Sequence, residues 1–247
     1  MIPLKSDYDL SMMRQSGKIL AQIMMALKSG IKAGVTTAQI DAQAEELIRR
    51  EGVLSAFKGY KGYPATVCTS VNEEIVHGIP GERCLREGDI VSLDLGINYQ
   101  GYFSDAAFTV SIGTIPAQGR KLLEVTRCAL FEGIRHAKVR NNLSDISHAI
   151  QDYVEKSGFS VVRQFVGHGI GRNLHEEPEI PNFGRPHQGP LLKKGMVLAI
   201  EPMVNTGGWE SRLTDNGWTA VTKDGSASAH FEHTVAITEA GPEILTA

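Results

Sequence analysis

Four carboxylates stand in the same local setting along the 247-residue chain. In an extended segment alternate side chains point to opposite faces, so the parity of each run tells which residues accompany the acid. In the run 90–95, Val91, Leu93 and Leu95 share one face, while Ser92 and Asp94 share the other. After Asp105, residues Ala107, Thr109 and Ser111 keep its phase, and Phe108, Val110 and Ile112 lie opposite. Ala199 is in phase with Glu201, against Leu198 and Ile200, and Thr234 and Ala236 are in phase with Glu232, against Val235 and Ile237. Each acid therefore occupies the reverse of an apolar face, among small neighbours that leave room around it. A single acid at a strand end is ordinarily a solvated or paired surface group. Four in one phase ask for another explanation.

Four carboxylates gathered in a partly buried place repel one another and raise one another's pKa unless cations sit among them. Two divalent ions supply +4 against −4. Oxygen-rich ligands with an imidazole and no thiolate favour Mn, Fe, Co or Zn. Two such metals about 3.5–4 Å apart activate a hydroxide and stabilise a tetrahedral oxyanion, as in many phosphatases, nucleases and aminopeptidases.

Of the eight histidines, His136 and His148 fall on expected helices and read as surface residues, and His187 sits in a turn with nothing beside it. His230 and His233 flank Glu232 and read as structural. His77, His168 and His175 occur in glycine-rich or turn-rich settings, where backbone can approach a ligand closely. Other motifs fail. His175-Glu176-Glu177-Pro178-Glu179 is not His-Glu-x-x-His, and Pro178 breaks the helix that motif needs. Gly167-His168-Gly169-Ile170-Gly171 is not a dinucleotide fingerprint, and no Gly-x-Ser-x-Gly elbow exists.

The elements that must position these side chains alternate in kind. Helices are expected from Ser6 or Asp7 to Gly30 and from Thr36 or Thr37 to Gly52, with hydroxyl N-caps and glycine stops. Short β-branched runs follow over 66–112. Helices return at 120–138 and 144–157, then strands at 161–166, 196–204, 219–221 and 230–238. Two helices and a set of strands thus occur twice, which suggests a duplicated half. The run from Leu85 through Gly88 to Asp94 has a partner from Leu192 through Gly195 to Glu201, at an offset of 107. Ile40 to Gly52 matches Ile146 to Gly158 at 106. His-Gly-Ile at His77 and at His168 differs by 91 and stands outside this register. A pseudo-two-fold would bring Asp94 and Asp105 of one half against Glu201 and Glu232 of the other.

With 42% hydrophobic and 21% charged residues, the chain reads as globular and able to bury a core without staples. A net charge of −3 gives no reason to expect nucleic acid or an anionic membrane as partner. Three widely spaced cysteines fit reduced thiols better than a disulfide framework. The charged N-terminal stretch has no signal-peptide core, and no run nears the ~18 apolar residues that span a bilayer. The expected location is the cytoplasm.

Several motifs together resemble the type I methionine aminopeptidases over nearly the whole chain: Gly59-Tyr60 to Pro64, Asn72-Glu73-Glu74-Ile75-Val76-His77-Gly78, Ser92-Leu93-Asp94-Leu95-Gly96, Gly101-Tyr102 to Asp105, Gly167-His168-Gly169-Ile170-Gly171, His175-Glu176-Glu177-Pro178, Ala199-Ile200-Glu201-Pro202-Met203 and Ala229-His230-Phe231-Glu232-His233-Thr234. The resemblance implies the α+β pita-bread fold, one catalytic domain over 1–247 with halves of roughly 1–115 and 116–247, and a curved antiparallel sheet with helices outside. It implies that Asp105 and Glu232 bridge two divalent ions, that Asp94 serves one and His168 and Glu201 the other, and that a hydroxide between them attacks the first peptide bond. Glu201 would then be the general base. His175 would hydrogen-bond the scissile carbonyl, His77 would contact the amide on the leaving side, and Phe57, Tyr60, Tyr63, Cys68 and Trp218 would line a methionine pocket. The free amine would be met near Asp94. The substrates implied are nascent polypeptide N-termini with a small second residue, met at the ribosome through the domain's own surface by a monomer.

Two positions depart from the frequent pattern. Leu174 stands where many members have Phe, and Lys61 where His is common, which puts the pocket's size in question. An Xaa-Pro aminopeptidase or prolidase of the same fold is the first rival. Those relatives usually carry a large extra N-terminal domain, whereas this chain starts almost at the first catalytic-domain helix. A non-enzymatic binding module of this fold is the second, and its mark would be lost metal ligands. All five are present.

Overall fold

Ser6 and Thr36 open the first two helices of the computed structural model, which describes residues 2–247. Helix α1 spans Asp7–Gly30. The Ser6 hydroxyl accepts from the Asp9 N–H, and the Asp9 carboxylate accepts from the Ser6 N–H, a reciprocal cap. Thr36 and Gln39 do the same for α2, Thr37–Glu51, which stops at Gly52 in the left-handed region. Helix α3 spans Ala117–His136, three residues earlier at its start than the expected 120–138, because Pro116 takes the N-cap place. Proline lacks an N–H that a helix start would leave unpaired anyway. Helix α4 is Leu143–Lys156, opened by an Asn142–Asp145 cap.

The strands correct the sequence reading at three places. The run 161–166 is not one strand: only Ser160–Val161 and Gly167–Gly169 are extended. The run 196–204 divides into Val197–Ile200 and Met203–Asn205 at Glu201-Pro202, since proline cannot donate to a ladder. The run 230–238 divides at Phe231 into Ser228–His230 and Glu232–Thr238. Each division lets consecutive segments join different sheets, and Glu201 and Glu232 stand at the points of division.

Nine strands form the main sheet. Its path runs Leu54–Ser55, Ile90–Tyr99, Tyr102–Ser111, Glu232–Thr238, Val197–Ile200, Gly167–Gly169 and Glu176–Ile180, with Cys68–Val71 and Gly241–Ile244 paired at its sides. Every pairing is antiparallel. One face is apolar. Val91, Leu93, Leu95 and Ile97 pack with Leu20, Ile23 and Leu27 of α1 and Ile40 and Ile48 of α2. Leu198, Ile200, Val235 and Ile237 pack in the same way with Leu122 and Val125 of α3 and Ile146, Ile150 and Val154 of α4. Burial of these side chains at ~1.5–3 kcal/mol each holds the helices to the sheet and leaves the opposite face to the acids.

The internal repeat is visible in the backbone. Gly88 and Gly195, each six residues ahead of its acid, have φ of 93° and 88°, the left-handed turn that glycine adopts without strain. Cys68–Val71 flanks the Asp94 strand as Gly167–Gly169 flanks Val197–Ile200. The shared His-Gly-Ile is not part of the repeat. His168 lies inside a sheet strand, whereas His77 follows the strand Glu74–Val76 at φ 59°.

Candidate active site

The two halves meet along a short seam. Tyr102–Ser111 and Glu232–Thr238 pair only at Ala107 with Glu232 and Ala106 with His233. One residue beyond this pairing at one end and two at the other, threonine side chains replace the ladder. Thr234 Oγ1 accepts from the Asp105 N–H at 3.0 Å and donates to the Asp105 carbonyl at 2.8 Å. Thr109 Oγ1 accepts from the His230 N–H at 2.9 Å and donates to the His230 carbonyl at 2.8 Å. The strands part there, and the two hydroxyl groups keep the backbone N–H and carbonyl of Asp105 and of His230 paired. Asp105 and Glu232 lie on either side of this opening.

All four acids converge there. Asp105 and Glu232 are buried, and Asp94 and Glu201 are half-buried and line the same pocket. Asp105, His168 and Glu232 offer ligand atoms that all lie within 4.8 Å of one another. Glu201 Oε1 is 3.6 Å from His168 Nε2, and Asp105 Oδ2 is 3.9 Å from the same nitrogen. His168 Nδ1 faces the Gly169 carbonyl at 2.9 Å, so Nδ1 carries the proton and Nε2 presents a lone pair to the acids.

Burial raises all four carboxyls. Asp105 is pushed up to about 7. Asp94 rises well above the usual carboxylate range through burial and the nearby charges of Asp105 and Glu201. Glu201 and Glu232 rise for the same reasons, burial first and neighbouring carboxylates second. Asp94 Oδ1, Asp105 Oδ1 and Glu232 Oε1 are buried without any hydrogen-bond partner. Unpaired buried anionic oxygens are costly, and divalent cations among them remove both the repulsion and the missing contacts. The donor set fits divalent metal.

A pocket of about 470 Å³, its mouth included, opens above these groups. Phe57, Tyr63, Cys68, Leu174 and Trp218 form its apolar wall, and His77 and His175 face it with the acids. Tyr63 donates its hydroxyl to the Gly78 carbonyl at 2.9 Å and meets Trp218 edge-on at 5.1 Å. Burial, and then the charge of Asp94, pushes the Cys68 thiol well up, so it is a neutral wall residue and not a nucleophile. Burial holds His175 down near about 3 and lowers His77. Both imidazoles are neutral at ordinary pH.

Tyr60, expected in the pocket wall, packs against the cluster of Phe57, Tyr63, Cys68 and Leu174 that forms it. Its hydroxyl lies 2.9 Å from His175 Nδ1. The Lys61 ammonium lies 5.4 Å over the Tyr60 ring. Leu174 does reach the pocket and is fully packed. His230 is a residue that the sequence reading left aside. It is buried, with Nε2 3.6 Å from Glu201 Oε2 and no hydrogen-bond partner. Asn182, buried too, donates to the Glu201 carbonyl at 3.0 Å. Asn182 thus supports the Glu201 backbone, and His230 faces its side chain. The signal for His230 was its place two residues before Glu232, but the break at Phe231 hides its direction from any parity argument.

Acids opened along a seam, an imidazole lone pair aimed at them and an apolar pocket above together define a metal-dependent hydrolase. Residues 11–239 match the profile of metallopeptidase family M24, and the chain belongs to that family. It is 53% identical to the methionine aminopeptidase of Clostridium perfringens over 100% of this chain and 99% of that one. It is 52% identical to methionine aminopeptidase 1 of Bacillus subtilis, again over 100% and 99%. The crystal structure of the Thermotoga maritima methionine aminopeptidase superposes with a TM-score of 0.98 at 47% identity, covering 100% of this chain and 99% of that one. The curled antiparallel sheet with four helices outside is the pita-bread fold of this family.

Proposed function

We propose that this protein is an aminopeptidase that removes the N-terminal methionine from new polypeptides whose second residue is small, working in the cytoplasm as a monomer. The observation that carries the reading is the convergence of Asp94, Asp105, His168, Glu201 and Glu232 beneath a small apolar pocket, with three buried carboxylate oxygens lacking any partner. The end-to-end likeness to methionine aminopeptidases supports the substrate class. In this reading the five residues hold two divalent ions, Mn, Fe, Co or Zn, whose +4 balances the four carboxylates. When bound, such ions polarise the scissile carbonyl and lower the pKa of water.

The chain's own residues divide the remaining work. Phe57, Tyr63, Cys68, Leu174 and Trp218 hold the methionine side chain and exclude water around it. The Asp94 side of the site receives the free amine. His175, neutral, donates from Nε2 to the scissile carbonyl as charge develops on it. Glu201 takes a proton from the attacking water at a carboxylate oxygen and returns it to the leaving amine. His77, neutral and facing the pocket, hydrogen-bonds the leaving amide.

The likeness to methionine aminopeptidases, and not the pocket, carries the expected preference at the second residue. Met-Ala-Ser should be cleaved, and both Met-Lys-Ser and N-acetyl-Met-Ala-Ser should resist, with free methionine measured by chromatography. Equal release from the acetylated peptide would overturn the exopeptidase reading, and equal release from Met-Lys-Ser would overturn the preference for a small second residue.

A further inference from the structure

His168 and His175 pack ring against ring at 4.2 Å, yet their Nδ1 atoms meet partners of different chemistry. His168 Nδ1 faces the Gly169 carbonyl, which only accepts, so its Nε2 is bare. His175 Nδ1 faces the Tyr60 hydroxyl at 2.9 Å, with the two rings 19° from parallel. A hydroxyl can donate as well as accept. Among the described residues the Tyr60 hydroxyl has no other hydrogen-bond partner.

We propose that Tyr60 donates its hydroxyl proton to His175 Nδ1 and so fixes His175 as the tautomer that carries its proton on Nε2. Tyr60 is then a positioning residue for the reaction. The proposal rests on His175 acting as donor to the scissile carbonyl. A neutral imidazole has one N–H, and it serves an oxyanion only if that hydrogen is on the nitrogen facing the substrate. With Nδ1 occupied by a donor, Nε2 is the one place left for it. The same surroundings thus hold two adjacent imidazoles in opposite tautomers, one as a ligand and one as a hydrogen-bond donor.

Tyr60→Phe keeps the ring and the cation above it and removes only the hydroxyl. Its kcat on Met-Ala-Ser should fall about tenfold, the scale of one lost hydrogen bond, with KM within twofold. The second readout is ¹⁵N NMR of histidine-labelled protein loaded with diamagnetic Zn²⁺, with His175 assigned by its absence from the His175→Ala spectrum. The wild type should show His175 Nε2 protonated and Nδ1 bare, and Tyr60→Phe should shift both nitrogens toward averaged values. A wild-type ring protonated on Nδ1 overturns the proposal. So does a Tyr60→Phe variant with unchanged nitrogen shifts, or one whose loss lies in KM alone. His175→Ala at wild-type kcat overturns the donor role of His175, and the positioning role with it, whatever the Tyr60→Phe spectrum shows.

Discussion

At the scale of single residues, the site asks different things of chemically similar groups. Glu201 faces both His168 and His230 through its two oxygens, each at 3.6 Å. Glu201→Gln should keep the far-ultraviolet circular dichroism of the wild type and cost several decades in kcat, because it removes a ligand charge and the base together. Turnover near the wild-type value would end that assignment. His175→Ala should act on kcat by on the order of 10²–10³-fold with little change in KM, as for a lost oxyanion donor. Steady-state kinetics with Met-Ala-Ser separates this from an effect confined to KM, which would make His175 a binding residue. The acids were legible from strand parity alone, since Leu93 and Asp94 must face opposite ways. The five-residue ligand set and the separate parts of His77 and His175 came from the family resemblance. His230 was not legible, because the strand is interrupted at Phe231 and sends His230 and Glu232 to different sheets.

At the scale of elements, reading succeeded where the information is local. Ser6 with Asp9 and Thr36 with Gln39 mark helix starts within four residues of sequence. It failed at Glu201-Pro202 and Phe231, where one apolar run serves two sheets; Pro202 was a local sign of the first break that the reading passed over, and nothing local marks the second. The seam between the halves was invisible for the same reason. Thr109 and Thr234 read as small in-phase residues, but each hydroxyl fills a gap in a ladder formed by distant strands. Thr234→Val conserves shape and leaves the Asp105 N–H and carbonyl unpaired in a buried place. Its cost should be about 1–3 kcal/mol, measured as a lower urea midpoint at unchanged m. A shift worth less than ~0.5 kcal/mol would mean the strands re-pair directly and the hydroxyl does not hold them apart.

At the scale of the whole molecule, the duplicated architecture places two acids from each half on one seam, and the fold carries an electrostatic cost until cations bind. The sign of that cost follows from the raised carboxyls. Each is protonated in the folded chain at pH values where the unfolded chain has already ionised it. The metal-free fold therefore binds more protons than the unfolded chain, and its stability falls as pH rises. The loss should begin above ~4, the unfolded carboxyl range, and run past the value of about 7 for Asp105. Thermal unfolding of chelator-treated protein between pH 5 and 8 should show Tm dropping with pH, and saturating Mn²⁺ should raise Tm most at the upper end. A Tm of the metal-free protein that climbs over this range would show that the acids are not coupled as described.

The most direct test of the account is hydrolysis by chelator-stripped protein titrated with Mn²⁺, Co²⁺, Fe²⁺ or Zn²⁺, offered Met-Ala-Ser and a matched Xaa-Pro peptide side by side. The account predicts no turnover without metal and metal-dependent release of methionine alone. Cleavage of only the proline peptide would move the chain to the prolidase branch of the fold, and silence on both at every metal would contradict the enzyme reading itself.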